Sequence, residues 1–190
     1  MPTSVDALYP LAERRAGYVT TAQAAEVGVS RQQLSYLART GSLERVAHGI
    51  YRLRRFPAQR FEDVIVACLW AGDDAVASHD TALAIYELTD AMPAAIHISV
   101  PRPFRGRRPG VTVHAAPLGD GERTEREGVP VTTVERTVAD VLVRSGTDLA
   151  RPAAEQALER GLVTRRRLRA ALIGHGHLGQ SLLDLVRPTA

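Results

Sequence analysis

The 190-residue sequence contains no lysine and one cysteine, and it has no apolar run of about 18 residues, the length that crosses a membrane as a helix. A single cysteine, Cys68, cannot form a disulfide within the chain, which excludes a disulfide scaffold. The N-terminus lacks a basic segment followed by an apolar stretch, so no secretory signal is visible. We therefore predict a cytoplasmic protein without membrane contact. The absence of lysine does not indicate a function. A coding sequence rich in G and C favours arginine over lysine, and so does selection for side chains that bind phosphate.

The positive charge is unevenly distributed, although the net charge is only +3. Residues 1–55 carry eight arginines and four acidic residues, whereas residues 56–100 carry one arginine and seven acidic residues. Two short clusters follow, and they consist of Arg102, Arg105, Arg107 and Arg108, and of Arg165, Arg166, Arg167 and Arg169. Such clusters bind DNA phosphate, RNA or an acidic partner, or they are solvated surface. The role of both stays open, and we expect the second cluster to face solvent.

The segment from Gly17 to Leu53 has the pattern of a winged helix-turn-helix. Thr20-x-x-Gln23 and Ser30-x-x-Gln33 are capping boxes ten residues apart, with a Val-Gly-Val turn between the two helices that they begin. Two strands with a tight turn at residues 48–49 follow. This order predicts an N-terminal DNA-binding domain at residues 1–55, with a helix in a DNA groove and a basic wing beside it.

The periodicity of the third helix separates core residues from candidate DNA-reading residues. Leu34, Leu37 and Ala38 form one apolar stripe, which places Gln32, Tyr36 and Arg39 on the opposite face. Gln33 is a weaker candidate, because its capping role competes with DNA contact. We expect side chains that read bases on the helix and side chains that bind phosphate around the wing. The predicted DNA-binding residues are Arg31, Gln32, Ser35, Tyr36, Arg39, Arg45, His48, Arg52 and Arg54. The alternative for each is a solvated surface residue.

Residues 60–190 predict a second, mixed domain in which helices surround a small β-sheet. An apolar stripe from Phe61 to Leu69 places Cys68 in the core, and a helix begins at Ser78. The period then changes to two over residues 96–100 and 111–115, which predicts two strands joined by an arginine-rich hairpin. A further capping box at Thr132-x-x-Glu135 and helices around residues 153–160 and 165–172 complete an α+β chain.

Histidines are the only candidates for chemistry in this second domain. His97 and His114 are predicted on one sheet face, and His175 and His177 lie near the C-terminus. Histidines without a clustered carboxylate are weak evidence for a metal, so we interpret them as exposed strand and loop residues. No phosphate-cradling glycine loop or nucleophile elbow is present. We predict no catalytic residues, no metal and no cofactor, and therefore no enzyme.

Several segments resemble the AbiEi family of antitoxins from type IV toxin–antitoxin systems. The N-terminal segment GYVTTAQAAEVGVSRQQLSYLARTGSLERVAHGIYRL is similar to the family's winged-helix domain. The later segments ASHDTALAIYEL, IHISVPRPFRGRRPGVTVHAAPL and REGVPVTTVERTVADVL resemble the domain that follows it in actinobacterial members. The resemblance implies that the third helix and wing contact DNA, and it assigns no individual toxin-neutralising residue.

The resemblance implies a protein that binds inverted repeats in double-stranded DNA of its own promoter, represses it, and counteracts a cognate nucleotidyltransferase toxin directly or indirectly. The alternative is a stand-alone winged-helix transcriptional regulator whose C-terminal domain serves oligomerisation or sensing. Some relatives continue into a Vsr-like endonuclease domain, which the sequence lacks, so we expect no nuclease activity. The operator sequence, the toxin and the oligomeric state are not determined by these patterns.

Overall fold

The computed structural model describes residues 4–90 and 93–186, and the protein is α+β, as the sequence predicts. The described residues form two compact units, one of residues 4–73 with 127–129 and one of residues 74–90, 93–126 and 130–186. The limits expected from the sequence, 1–55 and 60–190, stay predictions. Within the described ranges, no helix is long and apolar enough to cross a membrane.

The first unit combines four helices with a three-stranded sheet. Its elements are α1 (Ser4–Glu13), β1 (Tyr18–Thr20), α2 (Thr21–Glu26), α3 (Arg31–Arg39), β2 (Leu43–Ala47), β3 (Ile50–Leu53) and α4 (Glu62–Ala71). The strands pair antiparallel in the order β1-β3-β2. The core includes Leu8 of α1, Leu34 of α3 and Leu53 of β3, all fully buried. The two-residue turn between β2 and β3 lies at residues 48–49, as predicted.

Both capping boxes predicted in the first unit are confirmed. The hydroxyls of Thr20 and Ser30 accept from the amides of Gln23 and Gln33, and each glutamine accepts from the amide of its capping residue. The Gln33 side chain also donates to the Ser4 hydroxyl at 3.2 Å. These hydrogen bonds engage both polar groups of the Gln33 side chain. They fix the residue at which α3 begins and the rotation of α3 about its axis, which places its apolar stripe in the core.

The helix α4 is more deeply buried than its apolar stripe predicts. The expected core residues from Phe61 to Leu69 are buried, and so are Val66 and Ala67 on its other side. Cys68 is confirmed as a buried core residue.

The described residues of the second unit form a five-stranded mixed sheet, five α-helices and a short 3-10 helix at Asp120–Glu122. Its elements are β4 (Val76–Ala77), α5 (His79–Tyr86), β5 (Ile96–Val100), β6 (Val111–Ala115), β7 (Arg123–Arg126), β8 (Val129–Thr132), α6 (Val134–Ser145), α7 (Thr147–Glu159), α8 (Arg165–Ile173) and α9 (Gly176–Leu185). The strand order is β6-β5-β4-β8-β7, with β4 antiparallel to β5 and parallel to β8.

The prediction that β5 and β6 form a hairpin is wrong, because these strands are parallel. Ile96 lies opposite Val111 and Val100 lies opposite Ala115. The alternation of apolar and polar residues identifies both strands. It does not distinguish parallel from antiparallel pairing, because the alternation is the same in both. Ten residues, 101–110, separate the strands, which exceeds the two to five residues of a usual hairpin loop. The arginine-rich segment is therefore a return connection along the sheet.

The start of α6 also differs from the sequence prediction. Thr133, not Thr132, occupies the N-cap position, and its side chain makes no capping hydrogen bond. The Thr132 hydroxyl instead pairs with that of Thr137 at 2.8 Å. The capping box expected at Thr132 and Glu135 is wrong because the helix begins one residue later. The predicted cap at Thr164 is confirmed, since its hydroxyl accepts from the Arg167 amide.

Candidate nucleic-acid interface

The outer face of α3 carries three of the residues predicted to read DNA. Gln32, Tyr36 and Arg39 are exposed, and Tyr36 is 55% exposed. The guanidinium carbon of Arg39 lies 5.7 Å from the centre of the Tyr36 ring, within range of a cation–π contact. Because Leu34 and Leu37 hold the opposite face in the core, these three side chains point away from the fold.

A groove of about 680 Å³ separates the flank of α3 from the β2–β3 hairpin. Arg31 and Ser35 line its helix side, and Arg45 and His48 line its hairpin side. The guanidinium of Arg45 lies 3.3 Å from Nδ1 of His48, so these two side chains are held together. The groove thus brings four of the predicted site residues to one surface of the first unit.

The hairpin is fixed to the start of α2 through its turn. The amide and the hydroxyl of Thr21 both donate to the carbonyl oxygen of Gly49, at 2.8 and 3.2 Å. Gly49 has a φ of 71°, a left-handed conformation that glycine adopts without strain. The tip of the hairpin is therefore held at the start of α2.

Arg52 does not join this surface. Its guanidinium pairs with the carboxylate of Glu44 at 2.6 Å, and its side chain is only 14% exposed. The hydrogen bond to Arg52 holds the pKa of Glu44 below its ordinary value, and the same bond raises the pKa of Arg52. Arg54, just after β3, is exposed. The structure thus assigns Arg52 a contact inside the sheet, whereas the sequence predicts a phosphate contact.

Unlike Arg52, the other arginines predicted to bind DNA make no ion pair with a described residue. Arg31, Arg39, Arg45 and Arg54 are exposed and make no ion pair with any residue that the structure describes. Exposed guanidinium groups that are not engaged within the fold can bind phosphate oxygens, often through two parallel hydrogen bonds. The α3–hairpin surface is therefore suited to a polyanion.

The second unit contains a histidine cluster that the sequence predicts only in part. His97 and His114 lie on one side of the sheet, as expected, with Nδ1 of His97 2.9 Å from Nε2 of His114. His79, at the start of α5, stacks on His114 with ring centres 3.8 Å apart. The expectation that the strand histidines are exposed is wrong, because His97 is buried and His114 is half-buried. No local pattern indicates His79, because it reaches the cluster only through packing of α5 on the sheet.

The chemistry of the cluster is that of neutral imidazoles. Burial lowers the pKa of His79 to about 3 and that of His114 to about 4, and it also lowers the pKa of His97. Asp80 lies 4.0 Å from His97 and pairs with Arg144 at 2.8 Å. Stacked rings do not direct their lone pairs to one ion, and the described residues include no group of three side chains that suits a metal.

The two arginine clusters differ in their contacts. No ion pair joins Arg102, Arg105, Arg107 or Arg108 to another described residue. In the second cluster, Arg165 donates to the carbonyl oxygen of Val186 and Arg167 pairs with Glu135. The expectation of a solvent-facing cluster holds for Arg166 and Arg169, which are exposed, whereas Arg165 and Arg167 also make contacts within the unit.

Comparison with known proteins supports the resemblance drawn from the sequence. Residues 6–54 match the family model described as transcriptional regulator, AbiEi antitoxin, which spans most of α1 through β3. The RV2827C protein from Mycobacterium tuberculosis has a similar fold, with a TM-score of 0.50 and 19% identity over 100% of this chain and 84% of that chain. No curated protein matches the sequence.

Proposed function

We propose that this chain, whose residues 6–54 match the AbiEi antitoxin family of transcriptional regulators, is a DNA-binding antitoxin that represses its own promoter. The observation that carries the proposal is the α3–hairpin groove, where Arg31 and Arg45 face each other across an open surface without ion pairs among the described residues. We assign DNA binding to residues 1–55, as a winged helix-turn-helix, and toxin control to residues 60–190.

In this proposal α3 enters the major groove and the β2–β3 hairpin acts as the wing along the DNA backbone. Arg39 and Gln32, on the outer face, have the side-chain types that pair with guanine and adenine. Arg31, Ser35, Arg45, His48 and Arg54 contact phosphate and contribute affinity without sequence preference. Inverted repeats in the promoter present two such half-sites, so two copies of the chain occupy one operator.

Fluorescence anisotropy tests this assignment. It measures the binding of the chain to a fragment of its own promoter at several salt concentrations. We expect Arg45→Gln to weaken binding to all sequences and to reduce the slope of log K against log salt by about one. Arg39→Ala should cost about 1–3 kcal/mol on the operator and relax its base preference. Arg14→Gln is the matched control, because Arg14 is an exposed arginine of the same unit that does not line the groove. Equal losses in Arg14→Gln and Arg45→Gln would contradict the proposed surface.

The antitoxin role is tested by co-expression with a neighbouring gene for a nucleotidyltransferase. We expect the chain to restore growth when that toxin is induced, and we expect growth to be restored by a variant that carries Arg31→Gln and Arg45→Gln. That variant separates toxin control from promoter binding. Promoter repression without restored growth would instead support the stand-alone regulator.

A further inference from the structure

The strand β6 forms one edge of the five-stranded sheet, and its outer side is open. Among the described residues, β5 is the only strand that pairs with it. Residues 111–114 are half-buried and Ala115 is exposed. A groove of about 500 Å³ lies beside the strand, between the side chains of Val111 and Val113 and the preceding segment of residues 101–110. We call the strand, the groove and this segment the β6 edge.

The pairing with β5 shows which backbone groups of β6 point outward. The Ile96 amide donates to the carbonyl oxygen of Gly110 at 2.7 Å, and the Ala116 amide donates to the last carbonyl oxygen of β5 at 2.9 Å. In a parallel ladder, alternate residues of a strand direct both backbone groups to the neighbouring strand, so the even-numbered residues of this stretch bond to β5. Val113 and Ala115 therefore direct their amides and carbonyl oxygens away from β5, where no described residue bonds to them.

The opposite edge of the sheet, β7, has the protection that natural edge strands usually have. Its sequence is Arg-Thr-Glu-Arg, and charged side chains on an edge strand disfavour pairing with another chain. The sequence of β6 is Val-Thr-Val-His-Ala, which contains no arginine and no acidic residue. Burial lowers the pKa of His114 to about 4, so the strand carries no charge at neutral pH. The composition of β6 therefore permits the addition of a further strand.

The segment before β6 provides the positive charge of this edge. Arg107 and Arg108 line the groove together with the half-buried Phe104. Arg102 and Arg105 are exposed in the same segment, and none of the four arginines makes an ion pair with a described residue. An acidic partner that lies in the groove therefore gains ion pairs with the arginines, and it also gains apolar contacts with the two valines of β6.

We propose that the β6 edge binds an extended acidic segment of a partner protein, which pairs with β6 as an additional strand and places carboxylates against Arg107 and Arg108. Strand addition to an open sheet edge is a recurring mode of peptide recognition, in which main-chain hydrogen bonds give affinity and alternate side chains give specificity. The partner strand supplies amides and carbonyl oxygens at the spacing of β6, together with the opposite charge. The inference does not rest on DNA binding by the first unit.

Two other occupants fit the β6 edge less well. The phosphate groups of a nucleic acid pair with the arginines, but they only accept hydrogen bonds and leave the outward carbonyl oxygens of Val113 and Ala115 without donors. A second copy of this chain offers its own β6, but it brings another four arginines to the interface, where like charges repel each other. An acidic peptide strand satisfies both the backbone groups and the arginines.

Amide hydrogen exchange of the full chain, followed by NMR, tests the pairing directly. The probe is a blocked peptide in which glutamate and threonine alternate over about seven residues, a length that spans β6. At about 1 mM peptide we expect exchange of the Val113 and Ala115 amides to slow at least about fivefold, because they gain hydrogen bonds. The Thr112 and His114 amides should change little, since they already bond to β5. Unchanged exchange at Val113 and Ala115 overturns the proposal.

Matched peptides separate strand pairing from attraction by charge alone. Fluorescence anisotropy compares the labelled glutamate peptide with the same peptide carrying N-methylated amides, which keeps the charge but cannot donate to β6, and with a lysine peptide, which reverses the charge. We expect both to bind at least about tenfold more weakly than the glutamate peptide. Equal affinity of the N-methylated peptide overturns the proposal.

The other two occupants give distinct results. Single-stranded DNA is tested as a competitor on the variant that carries Arg31→Gln and Arg45→Gln, so that the first unit contributes little to its binding. Displacement of the peptide by an equal concentration of DNA would contradict the proposal in favour of a nucleic acid. Dimers of the chain in sedimentation, with slow exchange at Val113 and Ala115 before peptide is added, would contradict it in favour of a second copy.

Variants locate the peptide at the β6 edge. Ala115→Pro removes an outward amide that does not bond to β5, so the sheet tolerates it, and we expect it to weaken peptide binding about fivefold. Ala115→Val keeps the amide and is the matched control, which should bind as the wild type does. Equal affinities of Ala115→Pro and Ala115→Val overturn the assignment of the edge.

The arginines of the groove are tested in the same assay. We expect the variant with both Arg107→Gln and Arg108→Gln to bind the glutamate peptide at least about fivefold more weakly and to depend less on salt. Arg166→Gln is the control, because Arg166 is an exposed arginine of α8 that does not line the groove. Wild-type affinity in the double variant, or an equal loss in Arg166→Gln, overturns the proposal.

Discussion

Arg31 and Arg39 of α3 and Arg45 of β2 are exposed and make no ion pairs with described residues, whereas several arginines of the second unit are engaged by acids. Arg136 on α6 contacts both Asp140 and Glu122, and Arg144 contacts Asp80. The same residue type therefore has two roles in one chain. Arg136 and Arg144 of the second unit hold the fold together, whereas Arg31, Arg39 and Arg45 of the first unit contribute little to it.

This difference matters for interpretation because arginine is the only cationic residue type in the chain besides histidine. Composition cannot separate an arginine that binds a partner from one that neutralises an internal acid. Burial and ion pairing can, and they divide substitutions into those that change stability and those that change binding. The predictions below test that division.

The largest expected effect is on stability, from Arg136→Met in the second unit. The change leaves the Asp140 carboxylate, whose side chain is 11% exposed, without its counter-ion. We expect the free energy of unfolding, measured with urea, to fall by about 3–5 kcal/mol. Arg31→Met in the first unit should leave it unchanged, because Arg31 is exposed and has no ion pair with a described residue. Equal losses in the two variants would remove the contrast between the units.

A second effect is the pH dependence of stability caused by the histidine cluster. The pKa values of His79 and His114 are lowered from 6.5 to about 3 and about 4 in the folded chain, mainly by burial. The unfolded chain therefore binds more protons at acid pH, so the stability present above pH 6.5 is lost as the pH falls. For each of these histidines the loss is on the order of 1 kcal/mol per pH unit between pH 6.5 and its pKa in the folded chain.

Urea unfolding at pH 7.5 and pH 5 measures this effect. His114→Gln removes one of the titrating rings and should reduce the difference between the two pH values. His48→Gln, at the exposed tip of the hairpin, is the control and should leave the difference unchanged. The same acid sensitivity in both variants would show that the cluster does not cause it.

A smaller effect distinguishes Arg52 from Arg45 within the first unit. We expect Arg52→Gln to lower the free energy of unfolding by about 1 kcal/mol and to leave the salt dependence of DNA binding unchanged, because Arg52 is paired with Glu44. Arg45→Gln should leave the free energy of unfolding unchanged and reduce the salt dependence of DNA binding. A smaller salt slope of DNA binding in Arg52→Gln would instead support the sequence prediction that Arg52 contacts phosphate.

The smallest effect concerns the cap that sets the start of α3. Ser30→Ala removes the hydroxyl that accepts from the Gln33 amide, at a cost of about 1 kcal/mol in the free energy of unfolding. Ser42→Ala is a matched control, since Ser42 is exposed and its hydroxyl makes no hydrogen bond with a described residue. A loss in Ser42→Ala as large as that in Ser30→Ala would contradict the assigned role of the cap.

The first unit was largely predictable because its signals are local. A capping box operates over three residues, so Ser30 and Gln33 determine where α3 begins, and helical periodicity then places Leu34 inside and Tyr36 outside. The pairing of Arg52 was not predictable. A regular hairpin with Ala47 opposite Ile50 places Arg45 opposite Arg52, but a bulge between Arg45 and Ala47 shifts the register and brings Glu44 opposite Arg52.

The second unit was less predictable because its contacts join residues far apart in the sequence. The pairing of Ala77 with Val131 and the stacking of His79 on His114 depend on the whole sheet, which no short pattern records. The strand β7 and the helix α9 also escaped prediction. The sequence of α9 indicates a helix only through the spacing of Leu178 and Leu182, and one pair of apolar residues is too short a pattern to predict an amphipathic helix.

The parallel pairing of β5 and β6 has a practical consequence for studying the arginine-rich segment between them. Five residues of strand rise about 16 Å, so residues 101–110 must cover that distance to return to the start of β6. A two-residue turn cannot replace them, and a deletion that removes most of the segment would separate β6 from the sheet. The strand order thus requires the length of this connection, but it does not require the four guanidinium groups. Substitution of the arginines one at a time, at constant loop length, therefore tests whether they bind an anion without disturbing the sheet.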